Sequence, residues 1–275
     1  MKTNSPVAST AVGTRRRAWL AAFVLAALVV PIGAMAQDKF ERGLGEEYYR
    51  DFLRGAPREP TEEWALAWGG RLYDKWGEAV GSEEPKETHS AYPAAGKQKG
   101  SGTWRCKECH GWDYRGKDGA YATGSRFTGI KGITESAGKD PKTLAALLRG
   151  KVHGYTPAMI PDDILARLAL FVSKGQHDTE AVIDRATKKV KGDVDRGRKL
   201  YQNVCALCHG FDGKSINFGD EKSPEYLGTI GQNNPWEMVH KIRNGQPAVP
   251  MPAWRAFDMS ATVDVTAYTQ TLPAK

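Results

Sequence analysis

All four cysteines of the chain fall in two copies of one pattern, Cys106-Lys-Glu-Cys109-His110 and Cys205-Ala-Leu-Cys208-His209. On a helical turn, positions i and i+3 face the same way and position i+4 lies beside them. Each C-x-x-C-H therefore presents two thiols to one side with an imidazole next to them. That is the attachment pattern of a c-type haem, in which the thiols add to the two vinyl groups and the histidine reaches the iron from the proximal side. Two other readings use the same cysteines. Both pairs together could hold one zinc through four thiolates, which leaves the two histidines unexplained. Alternatively each pair could be a disulfide or a redox dithiol, although no βαβ pattern surrounds either. The haem reading predicts two c-type haems with their irons, attached through Cys106, Cys109, Cys205 and Cys208, with His110 and His209 as proximal ligands.

The first residues point to export. Residues 1–17 contain Lys2, Arg15, Arg16 and Arg17 and no acid; an apolar run 18–30 follows, then Pro31, Gly33 and Ala34-Met35-Ala36. A charged head, an apolar middle and small residues at −3 and −1 make a secretory signal, with cleavage expected after Ala36. The alternative is an uncleaved membrane anchor, because the run is nearly long enough to span. The paired arginines hint weakly at the twin-arginine route, against which attachment of a cofactor after export would argue. Loss of residues 1–36 removes four cations and no acid, taking the net charge from +7 to +3. No basic run interleaved with aromatics is present, so nucleic acid is not an expected partner. No later apolar stretch is long enough to span, which excludes a polytopic membrane protein.

The 275 residues suit two domains, and the sequence repeats accordingly. Gly197-Arg-Lys-Leu-Tyr201 runs straight into the second motif, while Gly70-Arg-Leu-Tyr73 stands 33 residues before Cys106. The shared stretch reads as the start of one helix used twice, with a loop-like insertion 77–105 in the first copy. After each motif comes a Gly/aromatic loop. Next is a helix opened by Asp140-Pro141 or Asn234-Pro235, a cap residue with proline at N1, ending near Gly150 or Gly245. A last helix follows, expected over Asp162–Ser173 and Ser260–Thr271. Leu165, Leu168, Leu170 and Phe171 give the first of these a buried stripe. There is little strand signal.

This layout resembles the class I cytochrome c fold present twice, on Gly197, Leu200-Tyr201, Cys205 to Gly210, Asn234-Pro235 and Pro250-Met251-Pro252-Ala253-Trp254. The resemblance covers about 63–275 and implies an all-α bacterial dihaem cytochrome c with long loops. The expected organisation is a signal 1–36, a helical extension 37–62, a first domain 63–180, a linker 181–191 and a second domain 192–275. In the extension, Phe40, Leu44, Tyr48 and Phe52 could line one helix face, packed on the first domain rather than serving as a docking element.

In the fold this chain resembles, the iron takes a second axial ligand from the loop before the last helix, and its identity tunes the potential. Met251 matches that position in the second domain. Met259 abuts the last helix, and Met238 reads as core. In the first domain His153 and Met159 compete. His153 lies eight residues before Pro161 and Met251 nine before Ser260, whereas Met159 lies only two before Pro161. Register therefore favours His153 as ligand and Met159 as packing, with an open iron as the third alternative. His89 and His177 read as ordinary surface histidines, and His240 as surface or satisfied core.

The expected function is single-electron transfer in the periplasm between redox partner proteins, with no catalytic residues. An internal relay would run from a lower-potential first haem to a higher-potential second one. The alternatives are a cytochrome subunit docked on a larger enzyme, or a dihaem enzyme acting on peroxide or a small sulfur or nitrogen compound. A cysteine-ligated version is excluded, since the motifs use every cysteine.

Overall fold

The computed structural model describes residues 55–275 except 58. The expected signal and the proposed face Phe40–Phe52 lie outside the described residues. Helix α1 spans Glu62–Val80 and opens on Thr61, whose side chain accepts from the Trp64 N–H. It starts well before Gly70, so the shared Gly-Arg pair lies mid-helix and not at a helix start. The helix kinks at Lys75, where side chains take freed backbone groups. Arg105 Nε donates to the Asp74 carbonyl at 2.8 Å, and the Gly77 N–H donates to Glu84 Oε1 at 3.2 Å. The first residues of the insertion 77–105 therefore complete α1, and its end forms a 3-10 turn, Gly100–Trp104.

The remaining first-half helices are α2 (Cys106–His110), α3 (Pro141–Arg149) and α4 (Asp162–Leu170). Asp140 caps α3 as its sequence predicts, accepting from the N–H groups of Lys142 and Thr143. Beyond Leu170 the last helix widens into a π turn, Phe171–Gly175. Leu165, Leu168 and Phe171 are buried as expected, but Leu170 is half-buried and Ile164 fills the stripe.

The second half contains α5 (Val194–Leu200), a π turn Tyr201–Cys205, α6 (Ala206–His209), α7 (Leu227–Asn233), α8 (Pro235–Asn244) and α9 (Met259–Thr269). Asn234 makes no capping bond to α8; its Nδ2 donates instead to Glu237 Oε2 at 2.7 Å. Among the described residues the protein is helical without strands, with two isolated bridges, Gly116–Lys131 and Ile183–Val190. None of these helices is long and apolar enough to cross a membrane.

The repeat is visible in how the helices cross. Gly69 in α1 lies against the Arg167 carbonyl and Phe171. Gly197 in α5 lies against the Asp264 carbonyl and Tyr268. Each glycine precedes its tyrosine, Tyr73 or Tyr201, by four positions, so the copies align without a gap on Gly69, and Gly70 is not the counterpart of Gly197.

The halves pack together. The described residues fall within one compact unit. The expected linker 181–191 is exposed over most of its length and is anchored at two points: Ile183 and Val190 are buried in a cluster with Trp112, Trp236 and Val263. Asp74, fully buried in α1, accepts from both Arg105 of its own half and Lys241 of α8.

Candidate haem sites

Each C-x-x-C-H occupies a short helix that ends on a glycine with positive φ, Gly111 at 81° and Gly210 at 78°. A residue without Cβ is favoured in that left-handed region. One tyrosine reaches each of these glycines: Tyr73 Oη donates to the Gly111 carbonyl at 2.6 Å, and Tyr201 Oη to the Gly210 carbonyl at 2.8 Å. The loop beyond each motif then folds back, with the Gly116 N–H donating to the His110 carbonyl and the Ser215 N–H to the His209 carbonyl. None of the four cysteines is paired in a disulfide. Among the described residues no three His, Cys, Asp or Glu side chains gather as a metal site, so the two cysteine pairs do not share one. Burial raises the thiol of Cys106 to about 11, and those of Cys109 and Cys205 to about 12.

The His110 ring is held in one tautomer. Its Nδ1 lies 2.8 Å from the Lys131 carbonyl, which can only accept, so the proton sits on Nδ1 and the Nε2 lone pair is free. Burial lowers its pKa to about 4, so the ring is neutral at pH 7. The His153 ring faces it, with centres 6.3 Å apart and planes inclined by 34°. Two imidazoles on opposite sides of one iron, each nitrogen at about 2 Å and each ring centre about 1 Å further back, stand about 6 Å apart. The spacing fits a haem iron between them. Burial also lowers the His153 pKa. Met159 packs on the first-half core, which includes Ile160, Ile164 and Leu148.

The insertion supplies something the sequence reading missed. His89 accepts the Ala91 N–H on Nδ1 at 3.1 Å, which places its proton on Nε2, and Nε2 donates to the His153 carbonyl at 3.0 Å. Its ring packs 4.3 Å from that of Trp104. His89 is therefore a brace for the His153 loop, and not an ordinary surface histidine. His177 is also withdrawn from the surface. Burial depresses its pKa well below the ordinary value, and its ring lies 6.0 Å from Tyr114. His240 is satisfied core: Nε2 lies 2.9 Å from the Gly70 carbonyl, and Nδ1 lies 2.8 Å from Tyr114 Oη. No sequence motif marks the contacts of His89 with His153, of His177 with Tyr114 or of His240 with Gly70 and Tyr114, because they join residues far apart in the chain.

The two motifs differ in surroundings. Lys107 and Glu108 are both buried; they pair with each other, and Arg126 donates to both oxygens of Glu108. Lys107 lies over the Trp112 ring, and Trp112 packs 4.9 Å from His240 in α8, so the first motif abuts the second half. In the second motif Leu207 is 91% exposed and Cys208 is exposed. Phe211, Ile216 and Phe218 are exposed near His209. His209 Nδ1 is buried with no hydrogen-bond partner among the described residues. The exposed apolar side chains beside the motif fit a large apolar group covering that face. Met251 is half-buried in the loop between α8 and α9. Met238 is buried core, and Met259 packs on the cluster of Trp236 and Val263.

Comparison with known proteins bears on the same residues. Residues 192–268 match the family described as cytochrome c oxidase, cbb3-type, subunit III. The chain is 30% identical over 83 residues to a cytochrome c-553-like protein of Synechocystis, covering 30% of this chain and 72% of that protein. It is 26% identical over 154 residues to the cytochrome bc1 complex cytochrome c subunit of Mycobacterium leprae, covering 54% of this chain and 46% of that protein. The chain thus spans less than half of the mycobacterial subunit. With the C-x-x-C-H helices, the tyrosine–glycine bonds and the helical fold, these matches assign a c-type cytochrome with covalently attached haem: the chain belongs to the cytochrome c family.

Proposed function

We propose that the protein is a periplasmic dihaem cytochrome c. One haem is held by 63–180 and one by 192–275, with 181–191 between them, and single electrons pass from donor to acceptor proteins. The observation that carries this reading is one scaffold built twice, Tyr73 with Gly111 and Tyr201 with Gly210, each behind its own C-x-x-C-H. Bound haem supplies one-electron ferrous–ferric chemistry, and the polypeptide supplies attachment, ligands and a dry pocket. In the first half Cys106 and Cys109 make the thioethers, and His110 and His153 hold the iron. The facing rings of the two histidines support His153, and the core packing of Met159 argues against that residue. In the second half the attachment residues are Cys205 and Cys208, and the ligands are His209 and Met251. A thioether ligand raises the potential relative to histidine. The relay therefore runs from the first haem to the second, and the exposed Leu207–Cys208 edge supports exit through the second half.

The redox partners would be respiratory proteins, reached after export by the signal 1–36. A second reading, a subunit docked on a membrane complex, is favoured by the likeness to a bc1-complex subunit and to a cbb3-oxidase subunit domain.

The test is the mass of the natively exported, denatured and acid-extracted chain. We expect a chain starting near Gln37 that carries two haem masses. One haem mass, or none, contradicts the proposal.

A further inference from the structure

The repeated helix is used differently in its two copies. In the gapless register, Arg71 of α1 corresponds to Lys199 of α5. Lys199 is exposed to solvent. Arg71 instead crosses into the second half. Its Nε donates to the Asn244 carbonyl at 2.8 Å, and its Nη2 to the Met251 carbonyl at 2.9 Å. Among the described residues it has no carboxylate partner.

The path of the guanidinium is built. Gly245, with φ of +80°, lies between Arg71 and the Met251 loop. A Cβ there would sit 2.5 Å from Arg71 Nη2 and 2.6 Å from the Met251 carbonyl oxygen. The adjoining Asn244 is held in turn: its Nδ2 donates to the His240 carbonyl at 2.9 Å, and its Oδ1 accepts from Arg255 Nε at 2.8 Å. The end of α8 and the Met251 backbone are thus tied to one planar fork. A guanidinium spans two carbonyls in fixed geometry, which a lysine ammonium does not reproduce.

We propose that Arg71, a residue of the first half, is the positioning residue for the Met251 ligand of the second. This rests on Met251 being the second-haem ligand. Arg71 touches neither the sulfur nor the iron. It fixes the backbone from which the thioether projects, so the first half sets how firmly the second iron is closed. A merely structural role for Arg71, which stands in the core helix of the first half, would damage the first haem before the second.

The test uses the full-length, haem-loaded protein and its Arg71→Gln and Arg71→Lys variants, with Met251→Ala as control. Two readouts serve: the pH at which the far-red sulfur–iron band of the ferric protein disappears, and the rate of cyanide binding at each haem. For Arg71→Gln we expect the band to vanish at least one pH unit lower. Cyanide should bind the second haem about tenfold faster, equivalent to about 1.4 kcal/mol. The first haem should be unchanged. Arg71→Lys should shift both readouts the same way by a smaller amount, and it decides the matter if Arg71→Gln is recovered without haem. Changes confined to the first haem, or no change at either, overturn the role of Arg71 when Met251→Ala has lost the band. A band that survives in Met251→Ala overturns the ligand reading itself, and the Arg71 proposal with it.

Discussion

Asp74 shows how much one side chain carries. It is fully buried, and burial by itself would raise its pKa. The charges of Lys241 and Arg105 outweigh that and bring it from 3.8 to about 2. A carboxylate depressed in the folded state contributes stability that is present above its unfolded pKa and is lost as pH falls through the folded one. That depression corresponds to about 2–3 kcal/mol, present above about pH 4 and gone below about pH 2. Replacing Asp74 by Asn leaves the half-buried Arg105 and Lys241 without their anion, which costs about 2–3 kcal/mol. Denaturant unfolding of the haem-loaded protein at pH 7 should show that loss. The gap between parent and variant should narrow between about pH 4 and pH 2. Equal stability of the two proteins at pH 7 would contradict this account. The two C-x-x-C-H motifs and their short helices were legible in the sequence because each lies within five consecutive residues. Asp74, His89 and Arg71 were not, because each acts on a residue brought to it only by folding.

Helices and caps read well where the signal is local. Asp140-Pro141 opens α3, and Pro235 opens α8, as the residues imply. Boundaries set by packing read poorly. α1 extends to Glu62, and the expected linker is pinned by Ile183 and Val190. The decisive local feature is the glycine at each crossing. At Gly197 an alanine Cβ would clash with the Asp264 carbonyl and lie 3.0 Å from Tyr268 Cβ. Alanine gains about 1 kcal/mol of helix propensity. Overpacking against a neighbouring backbone costs about 1–3 kcal/mol, occasionally more. Because the obstruction is main chain, α5 must move bodily off α9, and the clash wins. Gly197→Ala should therefore lower the thermal midpoint and release the α5–α9 crossing first. Loss of native spectrum at the second haem before the first would show this. An unchanged midpoint would mean that the crossing tolerates a methyl group.

On the scale of the molecule, the two halves are alike in scaffold and unlike in surroundings. The first motif is enclosed, with Lys107 and Glu108 buried and Trp112 packed on His240, and two histidine rings face each other beside it. The second motif is open at Leu207 and Cys208, and the Met251 backbone of the second half is tied to α1 through Arg71. In the function proposed above, unlike ligands on like scaffolds give the relay its direction, because a thioether ligand raises the potential relative to imidazole. The most direct test is a potentiometric titration of the full-length protein followed in its visible and far-red spectrum. The account expects two one-electron steps of equal haem content, with the far-red sulfur–iron band titrating only with the higher-potential step. A single one-haem step, or a far-red band that follows both steps equally, would contradict it.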